Sequence, residues 1–302
     1  MPLFRISGGR VELLKTVDHK VEKELQLFVE KNLQNILGLT FVKTEFILHG
    51  FRLDTVAFDE ENRSLVIIEY KKGKDYSVID QGFTYLNLML TYKADFKLLL
   101  MEKLQKKINI DWSQSKVIFV ANQFSQYQLV AIAIKDLPIE LMKYTLYEDG
   151  LISFEQVKPL TKEVSVKSLR RGKTFDRVSK EIKIYTLDNH LKKSDKPIQE
   201  FYLKLRDEIL GIDNQIQENI KKHYIGFKTS HNFVEFVFQR NALKIYLDLT
   251  VDELGEHRAL VEDCSKVDHW ATGDTRFKIS KSNDVPIALD LIKQSYNKLN
   301  KK

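Results

Sequence analysis

Two apolar runs joined by a short polar turn constrain this 302-residue chain more than any other feature. The first run is Asp54–Phe58, and the second, Leu65–Tyr70, leads directly into Lys71. Apolar runs of this length on either side of a few polar residues predict a β-hairpin. Because side chains alternate faces along a strand, Glu69 and Lys71 lie on the same face, and Asp54 on the paired strand can approach them.

Two carboxylates and one ammonium at the end of a buried strand indicate a divalent-metal site for phosphodiester hydrolysis. Carboxylate oxygens suit Mg²⁺ and Mn²⁺, and such an ion activates water. The alternative interpretation is a salt-bridged strand end, in which Lys71 pairs with Asp54 and Glu69 for stability alone. Isolated exposed ion pairs contribute only about 0–1 kcal/mol, so stability is a weak reason for three charges there, and we favour the metal site.

Composition excludes several classes of protein. The chain is 43% hydrophobic and 30% charged, which is typical of a soluble globular protein, and its net charge of +6 favours a polyanionic partner. Its single cysteine, Cys264, excludes an intrachain disulfide and fits a reducing compartment, so we expect a cytoplasmic protein. The start lacks the apolar core of a signal peptide, and no run approaches the ~20 apolar residues of a membrane span. We therefore expect no membrane partner.

Helical periodicity predicts a first helix over Val17–Leu37, and one carboxylate, Glu22, falls inside its apolar stripe. Glu22 either turns out to water at the helix start or faces the metal site. Further downstream, Gln81 and Tyr85 are four residues apart and share a face of the next predicted helix. The other elements of the first half are predicted in this order: strands Leu39–His49, Asp54–Phe58 and Leu65–Tyr70, helix Ser77–Thr91 with Ser77 as cap, helix Lys97–Lys107, strand Lys116–Ala121, helix Tyr127–Ile134 and strand Ile139–Tyr147.

This alternation predicts an α/β sandwich for the first domain, residues 1–160. The stretch Thr161–Tyr185 is rich in Lys, Arg, Ser and Thr and predicts a basic linker, or else a solvated charged run without a partner. Residues 186–302 predict a smaller α+β domain. Trp270 and the series Phe233, Phe236 and Phe238 could stack on bases, but we favour Phe236 and Phe238 as core residues. The predicted elements of this domain are helix Pro197–Leu210, strands Lys222–Lys228, Asn232–Gln239 and Ala242–Leu249, a turn at Thr272–Asp274 followed by a strand to Ile279, and helix Val285–Leu299.

Other catalytic motifs are not found. The spacings of His257, Asp263, Cys264 and His269 match no common zinc motif. The sequence also contains no G-x-S-x-G elbow and no glycine-rich phosphate loop. These observations argue against a zinc site, a serine hydrolase and NTP use.

Taken together, the candidate residues resemble the motifs of the PD-(D/E)xK nuclease superfamily in its RecB-type and NucS-type form. The resemblance covers about residues 15–155 and is carried by Glu22, Asp54, Glu69-Tyr70-Lys71, Gln81 and Tyr85. Leu53 stands where the superfamily's motif name has proline, a common departure. The resemblance implies a restriction-endonuclease-like αβ sandwich with a mixed central sheet. Residues from about 184 to 302 resemble an uncharacterised domain that often follows such modules, through the stretches HWATGDTRFKIS and LIKQSY.

The resemblance also implies roles for these residues. Lys71 would orient the attacking water or stabilise charge on the phosphate, and Gln81 and Tyr85 would reach the site from their helix to hold Lys71 or a phosphate oxygen. The ligands of a Mg²⁺ or Mn²⁺ ion, or of its water shell, would be Asp54, Glu69, the backbone carbonyl of Tyr70, and Glu22.

Basic residues near the motif and in the linker are candidates for phosphate contacts, which read no sequence. They are Arg52, Lys72, Lys74, Arg170, Arg171 and Lys173.

Two hypotheses about the function follow. The first is a metal-dependent DNA endonuclease, for which repair, restriction and phage defence are all compatible roles. The second is a non-catalytic nucleic-acid-binding or interaction module that retains the nuclease fold. A homodimer is plausible under the first, because two sites cut both strands most easily.

Overall fold

The two apolar runs pair as the hairpin that the sequence predicts. Strand β5 (Phe51–Asp59) runs antiparallel to β6 (Ser64–Lys71), with Thr55 opposite Ile68. The structure, a computed structural model, describes residues 3–17, 21–71, 78–106, 108–132, 138–158, 181–266, 271 and 273–299. The chain divides into two units, Met1–Ile184 and Tyr185–Lys302.

The hairpin lies inside a mixed sheet of the first unit, which has seven strands in the part of the chain that the structure describes. The sheet order is β3-β8-β7-β6-β5-β4, with β9 paired to β8; β6, β7 and β8 are parallel neighbours, and the remaining pairs are antiparallel. The other strands are β1 (Phe4–Ser7), β2 (Arg10–Leu13), β3 (Thr16–Val17), β4 (Thr40–Leu48), β7 (Lys116–Ala121), β8 (Ile139–Tyr147) and β9 (Ile152–Gln156). The helices are α1 (Glu22–Lys31), α2 (Leu33–Leu37), α3 (Val78–Thr91), α4 (Lys93–Leu104) and α5 (Gln126–Ala131).

Successive side chains of β6 point alternately into two apolar cores on opposite faces of the sheet, so the strand is buried on both sides. Leu65 and Ile67 pack in the core that contains α3 and α4, whereas Ile68 and Tyr70 pack in the core that contains α1. Glu69 is two residues after Ile67, so its side chain points to the same face as that of Ile67, the α3 face. The predicted αβ sandwich with a mixed central sheet and the predicted smaller C-terminal α+β domain are confirmed.

The predicted helix Val17–Leu37 is wrong at its start and in its continuity. Val17 belongs to β3, where it pairs with Leu146 of β8. A break at Asn32 separates α1 from α2, and its backbone (φ −116°, ψ 20°) leaves the helical region. The Asn32 side-chain amide donates to the Phe28 carbonyl at 2.8 Å, a local bond of the kind that competes with helix continuation.

Other elements of the first unit agree more closely with the sequence. The bounds of β7 and β8 are those predicted. The predicted helix Lys97–Lys107 instead begins at Lys93 and ends at Leu104, because Gln105 adopts a left-handed conformation (φ 51°). Strands β1, β2 and β9 were not predicted, and the proposed cap Ser77 lies outside the described residues.

The predicted linker Thr161–Tyr185 lies outside the described residues as far as residue 180. The described residues 181–184 of this stretch belong to the first unit. Ile182 is buried in the core on the α3 face, and Glu181 pairs with Lys93 of α4 at 2.6 Å. The chain therefore leaves the first unit only after these contacts.

The second unit is a smaller α+β domain with its own core. The prediction that Phe236 and Phe238 belong to that core is confirmed. The predicted strand Lys222–Lys228 is wrong at its start, because Lys222 lies in a turn between two strands. The described strands follow the sheet order β10-β11-β12-β13-β15-β14 with antiparallel pairs throughout: β10 (Gln217–Ile220), β11 (Ile225–Lys228), β12 (Asn232–Gln239), β13 (Ala242–Leu247), β14 (Glu262–Asp263) and β15 (Thr275–Ile279). The helices are α6 (Leu187–Leu191), α7 (Lys196–Leu210) and α8 (Asp284–Leu299).

Glycine is required in the turn that precedes β15. A Cβ atom on Gly273 would lie 2.6 Å from the backbone N and O of Leu247, a distance that no side-chain rearrangement can relieve. The N–H of Gly273 donates to the fully buried carboxylate of Glu235 at 3.3 Å. Across the described parts of both units, every helix is too short or too polar to cross a bilayer.

Candidate functional site

The hairpin register brings Asp54 of β5 next to Glu69 of β6. The backbone N–H of Tyr70 donates to Asp54 Oδ2 at 3.1 Å, which fixes this carboxylate at the end of β6. The Tyr70 side chain lies on the other face of the sheet, where its hydroxyl is 3.4 Å from Thr55 Oγ1. Tyr70 therefore contributes its backbone, and not its phenol, to the face that carries Glu69.

Glu69 is the centre of a hydrogen-bond network, although only 5% of it is exposed. Its Oε1 accepts from Lys71 Nζ at 3.1 Å and from Gln81 Nε2 at 2.6 Å, and its Oε2 accepts from the Tyr85 hydroxyl at 3.0 Å. Lys71 is also largely buried, with 16% of its side chain exposed. One side chain of β6 and two side chains of α3 thus donate hydrogen bonds to the same carboxylate.

Burial and neighbouring charges shift the pKa of both carboxylates. Burial raises the pKa of Asp54, and the charge of Glu22 adds to the rise. The N–H of Tyr70 and the charges of Lys71 and Arg52 oppose it. Burial also raises the pKa of Glu69, the negative charge of Asp54 adds to the rise, and Lys71 opposes it. Lys71 supplies one positive charge against two negative ones, so a cation between the carboxylates would be stabilised.

Gln81 and Tyr85 share one face of α3, as their spacing predicts, and both donate to Glu69, where the resemblance implied Lys71 or a phosphate oxygen. Gln81 Nε2 also donates to the Tyr85 hydroxyl at 2.7 Å, and Gln81 Oε1 is buried with no hydrogen-bond partner among the described residues. Burial and the charge of Glu69 raise the pKa of Tyr85, which keeps its phenol protonated as a donor. The unpartnered amide oxygen is an acceptor of the kind that a metal-bound water would satisfy.

Close approach of α3 depends on Gly82, the residue after Gln81. A Cβ at this position would lie 2.4 Å from Ile139 Cδ1 and 3.3 Å from the Phe119 ring. The helix therefore rests on β7 and β8 where a larger residue would hold it away. This contact sets how far Gln81 reaches toward Glu69.

Glu22 is the first residue of α1 and is exposed. It is close enough for its charge to act on Asp54, but it does not complete a ligand cluster. Within the residues that the structure describes, no three Asp, Glu, His or Cys side chains form a group that could hold a metal ion. The acidic pair that the structure brings together is Asp54 and Glu69.

The candidate phosphate-binding residues are only partly described. Arg52 is exposed on β5, and its carbonyl accepts from the Tyr85 hydroxyl at 3.3 Å. The other candidates lie outside the described residues: Lys72, Lys74, Arg170, Arg171 and Lys173.

Sequence reasoning missed the polar residues of α1 that support β5. Gln26 is buried, and its Nε2 donates to the backbone carbonyl of Asp54 at 2.8 Å and to Glu30 Oε1 at 3.0 Å. Glu30 also accepts from Thr55 Oγ1 at 2.6 Å. Glu22, Gln26 and Glu30 are four residues apart, so they form one polar row along the helix. That row is the signal that could have identified them.

The fold and site define an α/β sandwich protein that holds Asp54 and Glu69 beside Lys71 and carries a second, α+β domain. The sequence profile of a domain of unknown function (DUF5655) matches residues 187–298. An uncharacterized protein of Haemophilus influenzae strain Rd is 37% identical over 299 residues, which span 98% of this chain and 99% of that protein. The chain therefore belongs to the family of the Haemophilus protein.

Three solved structures are distantly similar. A repair endonuclease from Pyrococcus abyssi has 16% identity over 43% of this chain and 49% of its own, with a TM-score of 0.25. EndoMS in its complex with double-stranded DNA has 14% identity over 44% and 51%, with a TM-score of 0.23. SfsA from Pyrococcus furiosus in complex with Ca²⁺ has 12% identity over 50% and 78%, with a TM-score of 0.27. This chain thus spans about half the length of the first two of these proteins.

Proposed function

We propose that this protein is a metal-dependent endonuclease that hydrolyses DNA phosphodiesters with Mg²⁺ or Mn²⁺, in the cytoplasm. One observation carries the proposal: Asp54 and Glu69 are held side by side although burial raises both pKa values and the charge of Asp54 raises the pKa of Glu69 further. Pairs of perturbed carboxylates concentrate at catalytic and metal sites. A purely structural strand end has no need for the second carboxylate.

The chemistry of the donors suits a hard divalent cation. Asp54, Glu69 and the Tyr70 carbonyl would hold the ion, and Glu22 would contact it or its water shell. Carboxylate and carbonyl oxygens are the ligands that Mg²⁺ and Mn²⁺ prefer. When bound, the ion would polarise the scissile phosphate and acidify a water molecule. The buried acceptor Gln81 Oε1 fits the same assignment, because it could accept a hydrogen bond from that water.

The residues of the chain supply the rest of the chemistry. Lys71 Nζ, held 3.1 Å from Glu69, would stabilise the negative charge that grows on the phosphate in the transition state. Tyr85 and Gln81 keep the Glu69 carboxylate in one orientation through their hydrogen bonds. Arg52 would contact the DNA backbone from the exposed part of β5, and the basic residues Lys72, Lys74, Arg170, Arg171 and Lys173 would extend that contact.

The test is cleavage of supercoiled, linear duplex and single-stranded DNA by the purified full-length chain with Mg²⁺ or Mn²⁺. Asp54→Asn and Lys71→Met should each reduce the rate by about 10²–10³, the cost of one preorganised charge in an active site. EDTA should abolish cleavage. The matched controls are Asp95→Asn and Lys97→Met, which alter exposed residues of α4 in the same unit. Cleavage that persists in both site variants would refute the assignment.

A second function has one observation in its favour. No three-ligand metal group is found within the described residues, and the Glu69 oxygens already accept hydrogen bonds from Lys71, Gln81 and Tyr85. A non-catalytic nucleic-acid-binding module with the same fold is consistent with both facts. DNA binding that is equal with and without EDTA, unchanged by Asp54→Asn and never accompanied by cleavage, would favour this function. A steep dependence of binding on salt would identify phosphate contacts and exclude a purely protein partner.

A further inference from the structure

The N-terminal hairpin has one wholly apolar face that is exposed. Strands β1 and β2 pair with Phe4 opposite Leu13 and Ile6 opposite Val11, so these four side chains share one face of the two-stranded ribbon. Their exposed fractions are 50% for Phe4, 57% for Leu13, 79% for Ile6 and 64% for Val11. We call these four residues the hairpin face. Its exposure is unusual, because an amphipathic antiparallel ribbon normally turns its apolar face to a core.

The opposite face of the hairpin carries the polar side chains and is tied to the first unit. Arg5, on this face, forms an ion pair with Asp149 in the turn between β8 and β9. At the base of the hairpin, the N–H of Leu14 donates to the Leu3 carbonyl at 2.9 Å, and Lys15 exchanges two hydrogen bonds with Glu148. These contacts tie Arg5 and the base of the hairpin to the first unit, while all residues of β1 and β2, on both faces, are exposed.

From this arrangement we propose that the hairpin face is the core of a symmetric homodimer interface, covered by the hairpin face of a second copy. The face bears no charged group, and charge depletion marks the centre of homodimer interfaces. A DNA surface would instead require basic residues there. The two cross-strand pairs form a compact block that can pack on its own twofold-related copy, with two β-layers about 10 Å apart.

The hairpin face supplies about half of the area that this partner requires. Side chains of this size bury on the order of 150 Å² each when fully covered, so at the exposed fractions above the hairpin face offers roughly 400 Å² per copy. Two copies would bury roughly 800 Å² of apolar surface, against about 1,200–2,000 Å² in total for a stable interface. Partly exposed Leu3 and Val17 and the polar residues around the hairpin would supply the remainder. A two-stranded ribbon alone is only marginally stable, so pairing would also stabilise it.

A cleft of about 470 Å³ next to the hairpin provides a receptor for side chains of the second copy. Its lining includes Leu3 and Leu13 from the hairpin and Lys143, Thr145 and Tyr147 from β8. Leu13 therefore belongs both to the hairpin face and to the cleft. A protruding side chain such as Ile6 of the second copy could enter the cleft once the two faces are packed.

The test is the oligomeric state of the full-length chain without DNA or metal, measured by sedimentation velocity over a range of concentrations. We expect a dimer for the wild type. Ile6→Glu and Val11→Glu should each raise the dimer dissociation constant by at least roughly 30-fold, as expected for a residue at the centre of an interface. Leu98→Glu, which changes a side chain of α4 that is 59% exposed, is the matched control and should leave the dimer intact. Circular dichroism and thermal midpoints should confirm that all three variants fold.

Two further measurements avoid dependence on a single substitution. Mixing the Ile6→Glu and Ile6→Lys variants should restore a mixed dimer through opposite charges. Ile6→Cys should give a covalent dimer with a short bismaleimide, because the only native cysteine, Cys264, is buried. A wild-type chain that is monomeric at every concentration would overturn the proposal, as would a dimer that both glutamate variants leave unchanged. Recruitment of the monomer to phosphatidylcholine vesicles through the hairpin face would overturn it in favour of a lipid surface.

Discussion

Asp54 and Glu69 are held together at a cost in stability, as the proposed metal site requires. Burial raises the pKa of both carboxylates, the charge of Glu22 adds to the rise for Asp54, and the charge of Asp54 adds to it for Glu69. The backbone N–H of Tyr70 and the ammonium of Lys71 only partly offset this. Active sites commonly hold groups in arrangements of this kind, so neutralising one of them should stabilise the fold while removing activity.

Asp54→Asn should therefore raise the free energy of unfolding of the first unit by about 0.5–2 kcal/mol. An asparagine oxygen can still accept from the N–H of Tyr70, so the geometry is kept while the repulsion is removed. Urea denaturation of the wild type, Asp54→Asn and the control Asp95→Asn provides the measurement. A loss of more than about 1 kcal/mol in Asp54→Asn alone would instead support the structural ion-pair interpretation, in which Lys71 is left without one of its partners.

His190 should make the stability of the second unit depend on pH. The ring is fully buried, and its Nε2 lies 2.6 Å from the Lys221 carbonyl oxygen. Burial lowers its pKa from 6.5 to about 4. The unfolded chain therefore binds a proton near pH 6.5 that the folded chain accepts only near pH 4. The free energy of unfolding should be constant above about pH 6.5 and should fall as the pH decreases toward 4.

The measurement is the thermal midpoint of the second unit between pH 4 and pH 7. In His190→Gln, whose amide can still donate to the Lys221 carbonyl, the decrease at low pH should be smaller than in the wild type. His231→Gln, which changes a half-exposed histidine on the same unit, should keep the wild-type pH dependence. Equal slopes in the wild type and His190→Gln would show that this ring is not the source.

At the scale of elements, the contact of α3 with the sheet sets the reach of Gln81 and Tyr85. Gly82→Ala places a methyl group against Ile139 Cδ1 and should move the helix outward. Overpacking of this kind costs about 1–3 kcal/mol, and the shift should weaken the hydrogen bonds to Glu69 and reduce cleavage. Because the obstructing atom is the end of a side chain, Ile139→Val should relieve it.

A double-mutant cycle tests this argument. Ile139→Val alone should cost about 0.5–1.5 kcal/mol, and the double variant should be more stable and more active than Gly82→Ala alone. Stability is measured by urea denaturation and activity by the cleavage assay. Additive effects of the two substitutions would show that the contact between Gly82 and Ile139 does not position the helix.

The same scale shows which elements the sequence could predict. Strand β7 was predicted to the residue because it is a continuous apolar run after Lys116. Strand β8 mixes apolar and polar residues, and its bounds are marked by Pro138 before it and Glu148 after it. Val17 was assigned to a helix because it continues an apolar periodicity, but its pairing with β8 prevailed over that pattern. The hairpin of β1 and β2 was missed although Gly8-Gly9 between two alternating runs is a hairpin signal, because each strand has only four residues.

At the scale of the whole molecule, the two units have separate apolar cores. We expect a fragment of residues 185–302 to fold by itself, because its core is built from its own strands and from α7 and α8. Calorimetry should give one cooperative transition whose midpoint lies close to that of the second unit in the full-length chain. A fragment without a cooperative transition would show that the second unit depends on the first.

The sequence by itself determined the chemistry available to this protein and the elements that carry it. Alternation on β6 and the four-residue spacing on α3 dictate that Glu69 and Lys71 share one face and that Gln81 and Tyr85 share another, because strand and helix periods are fixed by the backbone. The tertiary structure decided which charges meet. It placed Asp54 against the Tyr70 N–H and brought Gln26 under the Asp54 carbonyl, while Glu22 stayed exposed. It also left the four apolar side chains of the hairpin face exposed to solvent. Such contacts depend on register, packing distance and the path of the chain, which no local pattern of residues encodes.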